Sequence, residues 1–396
     1  MGDIFEKQLD TLLSEAPARA RARQLGTFDE LTAGGGPVVL FGAGVLGRHA
    51  AGGLRRAGVE VAAFCDNNPV LQRTVLEGLP VLSPEDAVLR FGRETVFVVT
   101  IWRDVGGHPL DAVRRQMAGY GVSRVVSAAH LFWKHEQVFL PYYFLHRPDQ
   151  VLRQTEQVKA TFDLFTDETS RREYVAQVQW RIWLDFAGLG KPDHREHYFP
   201  PDLFLPRDDE VLIDAGAFQG DTLRNFLRLR GGAFRRYLAC EPDPANIARL
   251  NEFIGGLDSE LACRIRVVPL ALSDMRGKVR FAASGTQNSA ISETGELEVE
   301  TAPLDALLGD DLPTHIKMDI EGAEPLALIG AEHSIRKSLP VLAISVYHQY
   351  DHLWRIPRQM QVFSERYRLF LRPHGEACWD LICYAVPVDR LLSGSH

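Results

Sequence analysis

The stretch "VLIDAGAFQGDT", Val211–Thr222, joins an apolar run to a glycine turn and then to a helix start. A short continuous apolar run bounded by a glycine turn reads as a strand covered on both faces. Asp214 closes the run, and Gly216 and Gly220 follow in D-x-G-x-x-x-G spacing. Working outward, "TLRNFLRL" reads as a helix, "RYLACEPD" as a strand and "PANIARLNEFIGG" as a helix. "RIRVVPLALSD" is read as a third strand, followed by the strand-like runs "KVRFAAS" and "ELEVETAPL". "THIKMDIEG" is a strand feeding the helix "AEPLALIGAEHSI", and "PVLAISVYH" is another strand. Such alternation predicts a parallel sheet with helices on both faces. The last two strands, "YRLFLRPHG" and "WDLICYAVP", are joined by a short loop. They must pair antiparallel, because parallel pairing needs a long crossover.

Upstream the chain falls into three parts. Residues 1–35 read as helical, with acids early and no continuous apolar core, unlike a signal peptide, and "GDIFEK" lacks the Ser or Thr of a myristoylation site. Residues 36–130 alternate strand and helix again, and predict a second, smaller Rossmann-like domain. Residues 131–205 have few glycines over much of their length and helical periodicity, and read as a helical connector. Within it Trp180 and Trp183, three residues apart, are expected on one helix face, packed in the core or else walling the substrate site. Residues 206–396 form the main domain, so the expected class is α/β throughout.

The formal net charge of −8 argues against a nucleic-acid partner. No apolar run approaches the roughly 20 residues that span a bilayer. The five cysteines form no CxxC pair, and Cys65, Cys240 and Cys383 sit in apolar runs, as small buried hydrophobes do in a reducing compartment. The cytoplasm is the expected location, and self-association into a homo-oligomer is compatible with the sequence.

Two glycine turns invite ligands. "FGAGVLGR" carries Gly42, Gly44 and Gly47 in G-x-G-x-x-G spacing after a strand, and Asp66 ends the next strand. That pattern suits a dinucleotide or other nucleotide, or a turn kept for packing. The turn at Gly216, Ala217, Phe218, Gly220 and Thr222 has a different spacing, which suits S-adenosylmethionine. Asp214 is placed for its ammonium, Glu241 with Pro242 for its ribose, and Ser273 with Asp274 for its adenine. Asp243 reads as a helix cap. Asp319 ends the fourth strand, so polar groups line one rim of the sheet.

Together "VLIDAGAFQGDT", "ACEPDPAN", "VVPLALSD", "HIKMDIEGAEPLALIGA" and "WDLICYAVP" resemble the FkbM family of methyltransferases over Tyr198–Pro387. The resemblance implies a class I methyltransferase fold with an antiparallel final hairpin. It also implies S-adenosylmethionine as cofactor and O-methylation of a sugar, glycan or related small-molecule hydroxyl. Many relatives place Glu where this chain has Ser345 in "AISVYH". The segment around "FCDNNP" resembles the N-terminal Rossmann-like modules of some sugar-modifying enzymes, which implies recognition or assembly.

An alcohol acceptor needs a group to take its proton. The candidates are His348, Asp319, Glu321 and His374, with His348 first by its place at a strand end. Asp319 and Glu321 with His348 would also suit Mg²⁺ or Mn²⁺, against a metal-independent reaction. Glu324, in the first turn of a helix, reads as an acid favoured by the helix dipole. Tyr347, Tyr350 and Trp354 could stack on a sugar or pack, and Trp379 and Asp380 could line the acceptor pocket. The competing readings are an NAD(P)-dependent sugar-nucleotide oxidoreductase or epimerase using the first turn, and a non-catalytic scaffold.

Overall fold

The computed structural model describes residues 4–102, 109–192, 197–282, 290–291, 295, 297–309 and 311–392. The chain divides into two compact units that alternate along the sequence. The first comprises Met1–Val158, Glu173–Pro192 and Gly375–Trp379, and the second Lys159–Arg172, Asp193–His374 and Asp380–His396. Residues 131–205, read as one connector, are thus shared between the two units.

The first unit opens with α1 (Ile4–Leu13) and α2 (Pro17–Leu31). It continues through β1 (Val38–Phe41), α3 (Val45–Arg56), β2 (Val61–Cys65), β3 (Val75–Leu76), β4 (Leu79–Leu82), α4 (Pro84–Phe91) and β5 (Val96–Val99). Next come α5 (Pro109–Ala118), β6 (Val125–Ser127), α6 (Ala128–Lys134), α7 (Glu136–Phe139) and α8 (Pro148–Leu152). Two helices, α9 (Thr155–Phe162) and α10 (Glu168–Trp183), run through both units. The sheet order is β3-β4-β2-β1-β5-β6, parallel except for the β3–β4 pair. Ser83 caps α4, its Oγ accepting the Asp86 N–H at 3.1 Å. Trp180 is fully buried against Trp102, Phe144 and Phe186, whereas Trp183 is 44% exposed beneath the Arg23 guanidinium. The expected one-faced pair is therefore split: three residues turn a helix by about 300°, enough here to leave the second indole in solvent.

The second unit is built on β7 (Val211–Ala215), α11 (Asp221–Arg230), β8 (Arg236–Cys240), α12 (Pro244–Gly255), α13 (Ser259–Ala262) and β9 (Ile265–Val268). Then follow β10 (Ala271–Leu272), β11 (Gly277–Ala282), β12 (Ala290–Ile291), β13 (Leu297–Ala302) and β14 (His315–Met318). The chain closes with α14 (Glu324–Ile329), α15 (Glu332–Ser338), β15 (Val341–Ser345), α16 (His352–Phe363), β16 (Tyr367–Pro373) and β17 (Leu381–Pro387). Every residue of β7, β15 and β17 is buried, as their continuous apolar sequences require of central strands.

The seven-stranded sheet has the order β16-β17-β15-β14-β7-β8-β9. Its pairs from β15 to β9 are parallel, and β17 is antiparallel to both β15 and β16. From β7 the chain steps outward through β8 and β9, then returns to β14 on the other side of β7. The crevice at the carboxyl ends of β7 and β14 is therefore the topological switch point, where open α/β sheets bind ligands. In the first unit the same argument picks out β1 and β5.

One strand is shorter than its sequence suggests. β9 stops at Val268, and Ala271–Leu272 pair instead with β13 in a separate sheet of order β10-β13-β11-β12. Pro269 removes a ladder donor just past β9, which ends the pairing there. Ser273 and Asp274 consequently do not end the third strand of the main sheet. Among the described residues no helix is long and apolar enough to cross a membrane. Cys65, Cys240, Cys378 and Cys383 are buried free thiols, and Cys263 is exposed.

Candidate active site

At the switch point two loops meet without room for a side chain. Gly216 follows β7 with φ +76°, and a Cβ on it would lie 2.0 Å from the Asp319 carbonyl oxygen. This glycine is required by the approach of the two loops, independently of any ligand. Gly220, at φ +83°, precedes α11, which has no side-chain cap, and its missing Cβ faces Leu250. Gly216 and Ala217 both donate N–H to the Cys240 carbonyl, and Ala217 and Thr222 are buried. Phe218 holds φ +47°, uncommon for a bulky residue, and donates its N–H to Glu241 Oε2 at 2.8 Å. Glu241 Oε1 accepts the Asp243 N–H at 2.9 Å. The strand-end acid and the glycine turn are thus wired together. Burial pushes the Glu241 carboxyl upward despite these donors. Asp243 caps α12 as expected, accepting the Ala245 N–H at 2.9 Å. Pro242 lines an open groove of about 510 Å³ with Ile247, Pro269 and Val299. Ser273 donates to Asp274 at 3.0 Å.

Asp214 does not reach the rim. It is fully buried, with Lys317 Nζ at 2.9 Å from Oδ1 and the Tyr237 hydroxyl donating to Oδ2 at 2.5 Å. Of the two expected ways of meeting a ligand's ammonium, directly or through water, this burial opposes the direct one. Lys317 completes its three donors on the carbonyls of Ala215 (3.1 Å) and Gly216 (2.6 Å). The lysine thus fastens β14 to the turn that follows β7. It was visible in the sequence as a lone cation inside "HIKMDI", a position that demands a buried partner.

Asp319, one residue beyond β14, is the polar centre. Its Oδ2 accepts from the Tyr198 hydroxyl at 2.8 Å. Its Oδ1 accepts from Ser345 Oγ at 2.9 Å and the Tyr347 hydroxyl at 3.0 Å, and lies 3.2 Å from His348 Nε2. The Asp319 side chain keeps 24% exposure. Burial would raise its carboxyl, but His348, Lys317 and Tyr198 outweigh that and hold it well below the usual range. Ser345, the departure noted in the sequence, thus supplies a hydroxyl donor to Asp319.

His348 is enclosed by acids. Nδ1 lies 2.8 Å from Glu324 Oε1, and Nε2 is 3.2 Å from Asp319 and 3.9 Å from Glu321 Oε1. Burial lowers its basicity, but Glu324, Asp319 and Glu321 raise it well above the ordinary histidine value. An imidazolium has no lone pair, so the first-choice base of the sequence reading lies in surroundings that oppose that role. Glu324 is also corrected. It is fully buried, and Oε1 accepts the Ile320 N–H at 2.8 Å besides meeting His348. Burial pushes its carboxyl up, while His348 and His352 bring it below the usual value. It serves as an internal counter-ion, although it does open α14. His352 lies 3.5 Å from Glu324 Oε2, and burial drops it to about 4.

The donor atoms of Asp319, Glu324 and His348 fall within 4.8 Å of one another, close enough to suggest a metal. The ring nevertheless stands between the two carboxylates, one nitrogen toward each. That is the arrangement of an ion-paired triad, and an ion shared by all three would require the ring to turn. Glu321 and Gly322 shape the loop with φ +53° and +105°.

Three other expected residues bond or pack on groups other than Asp319. His374 is buried and bonded to the Tyr384 hydroxyl at 2.8 Å. Trp354 is 1% exposed and meets Tyr350 edge-on, so it packs as core. Trp379 is buried in the first unit against Trp102, Tyr143 and Phe144. Asp380 acts electrostatically on the Tyr198 hydroxyl. Tyr198 was not anticipated, since nothing in "HYFPP" marks it before folding.

At the first unit's switch point, Gly42 (φ +115°) abuts Ile101 and Thr100, and Gly47 sits where a Cβ would lie 2.0 Å from the Gly42 carbonyl. Gly44 begins α3 with open space around it. Asp66 accepts the Ala43 and Asn68 N–H groups, each at 2.8 Å. Two of the three glycines are thus explained by packing alone.

Residues 214–376 match the Methyltransferase FkbM domain. The FkbM match spans the glycine turn, Glu241, the Lys317–Glu324 segment and His348, and leaves Tyr198 outside. No curated protein matches the chain. A crystallised Methyltransferase FkbM from Methylobacillus flagellatus KT is similar over 96% of this chain and 98% of its own, with 23% identity and TM-score 0.73. That likeness establishes the fold. Weaker likenesses are to an rRNA methylase from Streptococcus thermophilus and an SAH-bound methyltransferase from Podospora anserina. The first has 12% identity, 50% and 98% coverage and TM-score 0.30; the second has 11%, 44% and 70%, and 0.26. The matches lend no support to the oxidoreductase alternative.

Proposed function

We propose that the second unit is an S-adenosylmethionine-dependent O-methyltransferase acting on a hydroxyl of a sugar, glycan or related small molecule. The observation that carries this is the switch-point constellation: Glu241 wired to the Gly216–Gly220 turn, with Asp319 meeting the same turn from β14. These groups fit the cofactor. Glu241 retains acceptor capacity for ribose hydroxyls, and the uncapped start of α11 favours an anionic group such as the methionine carboxylate. When bound, the cofactor supplies a methyl group already activated on a sulfonium.

The chain's own task is then orientation and proton handling. Asp319 is the proton acceptor in this reading. A weakly basic carboxylate suffices, because the acceptor oxygen becomes strongly acidic as its new carbon bond forms. His348, held between Glu324 and Asp319, keeps that carboxylate oriented and charged. Tyr198, Ser345 and Tyr347 fix its rotamer. The groups give no step that requires a metal. The Gly42–Gly44–Gly47 turn with Asp66 is proposed to take a nucleotide-linked group.

Calorimetric titration with S-adenosylmethionine tests the reading. Glu241→Gln should weaken binding about tenfold or more, since a charge-assisted bond to ribose is lost. Asp319→Asn should leave binding nearly intact and abolish turnover. Absence of binding to the native protein would end the proposal, and undiminished affinity of Glu241→Gln would end the ribose assignment.

A further inference from the structure

The donors around Asp319 are already committed inward. Lys317 directs three N–H groups at Asp214, Ala215 and Gly216. His348 directs its nitrogens at Glu324 and Asp319. The hydroxyls of Tyr198, Ser345 and Tyr347 all donate to Asp319. What the centre presents to an incoming group is therefore acceptor capacity on Asp319, which keeps 24% exposure, with Glu321 (18%) beside it.

A group entering here meets carboxylates and no uncommitted cation among Lys317 and His348. A hydroxyl or ammonium donor is accommodated. A carboxylate or phosphate next to the reacting oxygen is repelled, and would find no bidentate partner in these residues. Resting on the methyl-transfer reading, we infer that this site selects neutral or cationic hydroxyl-bearing acceptors and rejects those with an anionic substituent beside the methylated oxygen.

Two ligands read the charge directly. Sinefungin carries an ammonium-bearing carbon where the cofactor carries its methylsulfonium, and S-adenosylhomocysteine has a neutral thioether sulfur at that position. Calorimetry at low salt should show sinefungin binding about tenfold or more tighter than S-adenosylhomocysteine. Glu321→Gln should narrow that ratio, while the affinity for S-adenosylhomocysteine stays within about twofold. The second condition separates lost charge from lost folding. Equal affinities of the native protein for the two ligands would overturn the inference. Failure of both to bind would instead bring down the cofactor reading, and the inference with it. With neutral and uronate forms of one sugar offered as acceptors, faster S-adenosylhomocysteine formation from the uronate would also overturn it.

Discussion

Lys317→Met should destabilise the second unit severely, and the structure indicates by how much. Lys317 and Asp214 have 2% and 0% side-chain exposure and lie 2.9 Å apart. Methionine keeps most of the apolar stem and deletes the ammonium. Asp214 is then left with the Tyr237 hydroxyl, and the Ala215 and Gly216 carbonyls each lose a donor. Removing one partner of a buried pair costs about 3–5 kcal/mol. Adding Asp214→Asn removes the stranded charge, so the double variant should recover about 2 kcal/mol or more of that loss. A urea slope of about 2–3 kcal/mol/M converts the single-variant loss into a midpoint shift of roughly 1–2.5 M.

The second unit must be observed separately, because two units need not unfold together. Trp354 is the tryptophan of that unit; Trp102, Trp133, Trp180, Trp183 and Trp379 belong to the other. Protein labelled with 5-fluorotryptophan therefore reports the second unit through one fluorine resonance, assigned with Trp354→Phe. A Lys317→Met midpoint within about 0.3 M of the native one would refute the buried-pair argument. So would a double variant no more stable than the single one.

Gly216→Ala should cost about 2–5 kcal/mol, from a left-handed backbone and a clash with the Asp319 carbonyl; Gly44→Ala, in open space at ordinary φ, should stay within about 1 kcal/mol, and denaturant titrations of both check the contrast. His315 is fully buried against Phe199 and Phe204, and burial lowers it to about 4. Its unfolded value is higher, so the stability it permits is full above pH ~6.5 and is lost as pH falls toward 4. His315→Phe should remove about 2 kcal/mol of the native protein's loss between pH 7 and pH 5, and an unchanged pH dependence would contradict this. His348 has the opposite sign: its folded value is raised, so its stabilisation is full below pH ~6.5 and is lost as pH rises through that folded value. The stability gap between native protein and His348→Gln should therefore be wider at pH 6 than in alkaline solution, and a gap that grows with pH would contradict the triad.

Much of the frame was legible before folding. Continuous apolar runs of four to seven residues separated by amphipathic segments announced buried parallel strands. The short loop before "WDLICYAVP" required an antiparallel close, which β16 and β17 show. The glycine at 216 and the acid at 241 were recognisable from their places at strand ends. Misreadings arose where one residue type serves two environments. Asp214 and Glu241 both close strands, yet one is locked beneath the turn by Lys317 and the other is bonded to the turn's own N–H. Glu324 looks like any first-turn acid until its 0% exposure and its bond to His348 are seen. Ser273 looked like a strand end because "VVPLAL" before it is apolar throughout, but Pro269 breaks the ladder.

The sequence by itself determined most of the strands and helices, that the final pair must be antiparallel, and where the glycine turns fall. These follow from periodicity and from local steric limits, which act within a few residues. The protonation state of His348, the burial of Asp214 and the role of Tyr198 were decided only by the tertiary structure. Each depends on which charges and hydroxyls are carried to the carboxyl ends of β7 and β14 from segments up to 121 residues apart. Electrostatic energies vary with distance and local dielectric, and neither exists until the sheet has closed its order.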